Sequence, residues 1–178
     1  MDSDRLPAQD GRQDHIRTFF LLLLAADAVF VAVHLVHSLT PFFNDRLYSI
    51  EQDRSYAEIF QYVKTYWVVL LLAALAWRTR ESVFIAWMLL YTHLLFDDAF
   101  FIHEDGGAAM AARLGYVGAM GLRPEDLGEL TVSATIGVVF LALILITYRR
   151  GGRDARNASS DLALLVGLLV FFGVFVDM

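Results

Sequence analysis

The chain has no cysteine in its 178 residues, which excludes disulfides, iron–sulfur clusters and thiolate metal sites. It is also poor in charge. Charged residues make up 19% of the total, where a soluble domain carries nearer a quarter. Lysine is almost missing, since every basic residue except Lys64 is arginine. No basic groove interleaved with aromatics is visible, so nucleic-acid binding is excluded.

Apolar residues supply 57% of the chain, and the mean hydropathy is +0.52. They gather in five runs, at approximately 16–39, 62–77, 82–102, 130–148 and 162–178. Crossing about 30 Å of hydrocarbon takes roughly 20 residues of helix, and most of these runs approach that length. Backbone groups in lipid must be satisfied within their own segment, which leaves helix as the only sensible state. The expected fold is all-α: a polytopic membrane bundle of about five transmembrane helices, over 16–39, 56–77, 82–104, 124–148 and 161–178. The second run is short, but Ser55 and Glu58 form an S-x-x-E capping box that starts its helix seven residues earlier. The first run is no signal peptide, because it holds Asp27, His34 and His37 and ends in Thr40-Pro41-Phe42-Phe43 without a small-residue cleavage site.

Arginine distribution predicts the orientation. Arg5, Arg12, Arg17, Arg78, Arg80, Arg149, Arg150, Arg153 and Arg156 lie in the N-terminal tail and the second and fourth loops. Arg46, Arg54, Arg113 and Arg123 are all that the first and third loops hold. Nine against four predicts a cytoplasmic N-terminus in the cell membrane. Residues 1–14 are polar and acid-rich, and are expected to form a disordered cytoplasmic tail. The first loop, about 40–55, mixes aromatics with charges and is expected to lie on the outer face, with a short interfacial helix. The turn Arg78-Thr79-Arg80-Glu81 makes helices two and three antiparallel neighbours. The third loop, about 105–123, is rich in Gly, Ala and Met and reads as a flexible lid or another surface helix. Pro124, Glu125 and Asp126 give helix four a good start. Asn157-Ala158-Ser159 is a glycosylation sequon on the cytoplasmic side, where it would go unused. The apolar last run ends at Asp177-Met178 without a polar flank, which suggests a chain cut short.

The ionisable groups inside these runs set the functional question, because a charge at the bilayer centre costs roughly 3 kcal/mol on insertion scales. At about 100° per residue, Asp27, His34 and His37 share an arc of about 80° on helix one. On helix three, His93, Asp97 and Glu104 share about 40°, with His103 and Asp98 flanking them. Counting about 1.5 Å per residue from the outer ends, Asp27 and His93 both lie roughly 17 Å deep. His34, His37, Asp97, His103, Glu104 and the helix starts at Glu58 and Glu129 fall nearer the outer face. These groups are expected to converge on one outward-facing pocket.

Imidazoles beside carboxylates without thiols suit zinc first, then manganese or non-haem iron. The expected ligands are His34, His37, His93, Asp97, His103, Glu104 and Glu129, with Glu104 or Asp97 as general base on metal-bound water. Asp27 and His93 read either as a proton relay or as a structural pair locking two helices.

The stretch Asp97-Asp98-Ala99-Phe100-Phe101-Ile102-His103-Glu104 resembles one in uncharacterised bacterial multi-pass membrane proteins, where an acidic pair followed by His-Glu closes a membrane helix. The likeness extends to Asp126-Leu127-Gly128-Glu129 and to Asp177, and it implies a bacterial inner-membrane protein with no activity to carry over. Membrane zinc hydrolases of the ceramidase and progestin-receptor type also use helix-borne His and Asp, but their closing H-x-x-x-H element is missing here.

The first reading is therefore a divalent-metal site, extending to hydrolysis of a lipid or other membrane-delivered substrate. A proton- or ion-coupled transporter or relay through Asp27, His93 and Asp97 is the alternative. A non-catalytic membrane subunit is a further one. Haem b between facing histidines is disfavoured by the nearby carboxylates.

Overall fold

The computed structural model describes the backbone of residues 6–41, 44–119 and 121–177, and side chains within 13–41, 44–119 and 121–171. Arg5, Phe42, Phe43 and Met178, used above, lie outside the described residues, as do the side chains of Arg12 and Asp177. The chain is 85% helical, with no strand among the described residues. Among the described residues six α-helices follow in order: α1 (Leu6–Leu39), α2 (Tyr56–Thr79), α3 (Ser82–Phe100), α4 (Ile102–Leu114), α5 (Pro124–Arg150) and α6 (Arg153–Asp177). Among the described residues, α2, α3, α5 and the Gln13–Leu39 part of α1 are long and apolar enough to cross a membrane. That is compatible with an integral membrane protein. The fifth expected span falls on α6, whose side chains are described only to Phe171.

Two compact units make up the chain, Met1–Tyr62 and Val63–Met178, so α2 begins in the first and runs on into the second. In the first unit, α1 runs from Leu6 to Leu39, so its helix takes in polar residues that precede the apolar run. Many of its apolar side chains are exposed, Ile16, Phe20, Leu22 and Val29 among them. Water would penalise that surface at about 25 cal/mol per Å², whereas lipid would not.

Among its described residues, the first loop holds a 3-10 turn, Arg46–Tyr48, opened by the Asp45 carboxylate accepting from Leu47 N–H at 3.0 Å. Ser55 is buried just before α2, and its Oγ accepts from Glu58 N–H at 3.3 Å. The reciprocal half of that cap differs from a simple box. Glu58 Oε2 takes the Arg54 N–H, and Oε1 takes the Tyr62 hydroxyl, while Ser55 N–H goes to Gln52 O at 3.2 Å.

In the second unit, the core sits where α3 meets α5 and α6. Val83, Phe84 and Trp87 of α3 are buried with Ile144 of α5 and Ala155 of α6, and Leu72 and Ala76 of α2 join the same cluster. Trp87 Nε1–H donates to the buried Ser159 Oγ at 2.7 Å, so the core's polar atoms satisfy each other. At this end Glu81 Oε1 accepts from Gly152 N–H at 3.1 Å, tying the α2–α3 turn to the α5–α6 turn.

Helix three does not run to Glu104. It stops at Phe100, because Phe101 adopts the left-handed conformation with φ 55° and ψ 37°. Phe101 N–H still bonds to Asp97 O, while its own carbonyl accepts from Asp105 N–H at 3.0 Å. One residue therefore ends α3 and starts α4. The α4 helix occupies much of the expected third loop, which shrinks to 115–123 with positive φ at Gly115 and Gly121.

Candidate functional site

In an unbroken helix, residues six apart point about 120° away from each other and stand about 9 Å apart along the axis. The left-handed turn at Phe101 removes that separation between Asp97 on α3 and His103 on the first turn of α4. His103 Nδ1 lies 3.1 Å from Asp97 Oδ2. When the ring is neutral, this contact requires Nδ1 to carry the proton and donate it to the carboxylate. The Nε2 atom, on the opposite edge of the ring, lies outside that bond. Both side chains are largely enclosed, at 18% exposure for Asp97 and 31% for His103. The second carboxylate oxygen, Asp97 Oδ1, is buried and accepts no hydrogen bond from the described residues. A buried polar atom without a partner is uncommon in folded proteins and calls for a ligand, a water or a functional reason.

The α4 helix is held on α5 by a backbone crossing. A Cβ on Gly128 would stand 2.1 Å from Gly107 O, and one on Gly107 would stand 2.5 Å from Glu129 N. Only glycine at both positions permits this approach. Glu129 therefore meets α4 beside the crossing, at its backbone and Cγ. At the start of α5, Asp126 accepts from Arg123 N–H at 2.8 Å and from its guanidinium at 2.6 Å. That hydrogen bond and the Asp126 charge push the Arg123 guanidinium above its ordinary pKa.

The remaining expected site residues have other surroundings. The half-buried His93 stacks on Phe140 of α5, with ring centres 5.5 Å apart and an interplanar angle of 23°. Glu104 and Asp98 are exposed. In the first unit, His34 Nδ1 accepts from Ile50 N–H at 3.2 Å, so one of its ring nitrogens holds the loop to α1. Asp27 and His37 are half-buried on α1. Asp27, His34 and His37 belong to the first unit, and His93, Asp97, His103, Glu104 and Glu129 to the second. Among the described residues, no three of His, Asp and Glu stand close enough together to hold a metal ion.

Within the second unit, then, Asp97 and His103 come together. Sequence reasoning missed the residues that build this pair. A phenylalanine in the left-handed region has no sequence signature. The glycines that dock α4 were visible, but their run with alanine and methionine also fits a loop.

No protein-family model, curated protein or solved structure matches the chain.

Proposed function

We propose that this is an integral membrane protein that passes protons, or ions coupled to them, through the Asp97–His103 pair. The carrying observation is the 3.1 Å contact between His103 Nδ1 and Asp97 Oδ2 across the break at Phe101. A carboxylate that orients an imidazole by one nitrogen leaves the other to take and release a proton. Asp97 Oδ1, buried and without a partner among the described residues, leaves on the same residue an oxygen that a proton or cation can take. Two residues complete such a relay, whereas a protein metal site needs three or more ligands. An ionisable pair at the end of an apolar helix is also where intramembrane proton traffic is expected.

The test is proton flux into liposomes holding the purified protein, driven by an imposed potential and read by a trapped pH dye. Flux should fall by at least about tenfold in His103→Ala and Asp97→Leu, the low end of what one proton-transferring side chain contributes. Glu104→Gln should leave it unchanged. Wild-type liposomes no leakier to protons than empty ones would end this reading.

A divalent-metal site is the second reading, supported by the same pair. A metal-bound histidine characteristically donates its other N–H to a carboxylate, as His103 does to Asp97 when its ring is neutral. Zinc, manganese or iron would then take His103 Nε2 as one ligand and need at least two more, which no cluster among the described residues supplies, with Glu104 as candidate base toward a membrane-delivered substrate. Elemental analysis decides it: stoichiometric metal lost in His103→Ala favours this reading, and metal-free wild type rejects it.

A further inference from the structure

The core end of the second unit carries six arginines on two turns that the chain separates by some seventy residues. Arg78 and Arg80 lie at the α2–α3 turn, and Arg149, Arg150, Arg153 and Arg156 flank the α5–α6 turn on the ends of its two helices. The Glu81 Oε1 contact with Gly152 N–H, at 3.1 Å, joins the two turns, and Gly152 admits the carboxylate because a Cβ there would stand 2.9 Å from that oxygen. Behind the turns, Ala76, Val83, Phe84 and Ala155 are buried together. All six arginines are exposed. The acids among them are Glu81, which is engaged at Gly152, and the exposed Asp154 and Asp161.

Two further observations say what this surface meets. Next to the arginines, the flanks of the same helices expose large apolar side chains, including Leu75, Leu145, Ile146 and Leu164. At the boundary stands Trp77, 72% exposed, with the Arg80 guanidinium 4.7 Å from its ring centre. An exposed tryptophan between an apolar band and a charged rim is the pattern of a side chain at headgroup depth. The guanidinium's fork of donors matches the paired oxygens of a phosphodiester, which a single ammonium does not.

We infer that the arginines of these two turns form one collar that binds the phosphate headgroups of anionic lipids in the adjoining leaflet. This rests on the membrane-protein part of the proposed function and not on the Asp97–His103 pair. Loss of lipid selectivity and loss of proton flux are therefore separate results. The opposite end of the second unit has the reverse character, carrying Asp97, Asp98, Glu104, Asp105, Glu125, Asp126 and Glu129 against Arg113 and Arg123, the latter paired with Asp126. Anionic lipid should favour the collar end alone.

The experiment measures association of spin-labelled phosphatidylglycerol and phosphatidylcholine with the reconstituted protein. Wild type should prefer the anionic lipid by about fivefold or more, the gain expected from a single engaged basic residue at an anionic surface. The Arg149→Gln, Arg150→Gln, Arg153→Gln, Arg156→Gln variant should lose most of that preference, and Arg113→Gln with Arg123→Gln should keep it. Should the fourfold variant fail to fold by circular dichroism, Arg78→Gln with Arg153→Gln reads the same property with fewer changes. Inorganic phosphate at matched ionic strength should not compete; competition would mean a free-phosphate site and overturn the lipid assignment. Equal affinity for the two lipids in wild type, or undiminished preference in the folded variants, would overturn it as well.

Discussion

The indole N–H of Trp87 and the hydroxyl of Ser159 meet at 2.7 Å in the core of the second unit, although they lie 72 residues apart in sequence. Trp87 is 2% exposed and Ser159 1%, so neither atom has water to fall back on. The sequon Asn157-Ala158-Ser159 consequently sits inside α6, with its hydroxyl already used. Ser159→Ala should leave the indole N–H unsatisfied and cost about 1–3 kcal/mol. Trp87→Phe should also destabilise, through lost packing as well as the lost donor. A double-mutant cycle by thermal unfolding in detergent should return a coupling of roughly 1 kcal/mol. Additive effects would mean that the two side chains do not support each other.

The crossing of α4 on α5 makes a second prediction. Gly107→Ala and Gly128→Ala each drive a methyl into backbone, which cannot swing aside as a flexible side chain can. Each should cost about 1–3 kcal/mol or more, by overpacking. Gly106 is the control. A Cβ there meets Val132 methyls at 3.5 and 3.6 Å, an ordinary contact, so Gly106→Ala should hold or gain up to about 1 kcal/mol from helix propensity. Melting temperatures of the three variants check this, and equal losses at all three positions would contradict the crossing.

Helix class was legible because it depends on local properties. Runs such as 16–39 are too apolar for water and need their backbone bonds satisfied internally, so helix follows from composition alone. The Ser55–Glu58 half of the α2 cap is local too, and Ser55 Oγ does accept from Glu58 N–H. The site was less legible. Placing His103 and Glu104 on helix three assumed that helical phase continued past Phe101, and a single residue at φ 55° rotates everything after it. Helical phase and depth put His93 and Glu129 among the expected ligands, but tertiary contacts decide their surroundings: a phenylalanine ring for one, a glycine backbone for the other.

Phe101 itself can be tested for the left-handed turn. A non-glycine residue there costs roughly 1 kcal/mol in backbone energy that glycine avoids. Phe101→Ala and Phe101→Gly both remove the ring, so their difference isolates the backbone. Phe101→Gly should be the more stable by about 1 kcal/mol in thermal unfolding. A continuous helix through residue 101 would reverse the order, since glycine in a helix interior is worse than alanine by about the same amount.

The tautomer of His103 is the most direct reading of the proposed site. With Asp97 ionised, a neutral ring meets Oδ2 at 3.1 Å by donating from Nδ1, so the contact predicts a proton on that atom. Free imidazole side chains favour the other tautomer, so the carboxylate must be what selects this one. Nitrogen-15 spectra of histidine-labelled protein, with the His103 signal identified by its loss in His103→Gln, should show Nδ1 protonated in wild type. In Asp97→Ala the signal should move toward the Nε2-protonated form. Stability should change by no more than about 1 kcal/mol, because Asp97→Ala removes a buried oxygen without a partner together with one hydrogen bond. A large loss of stability with an unchanged tautomer would make Asp97 a structural pin. A tautomer change at near-constant stability is what a carboxylate retained to orient a working imidazole predicts.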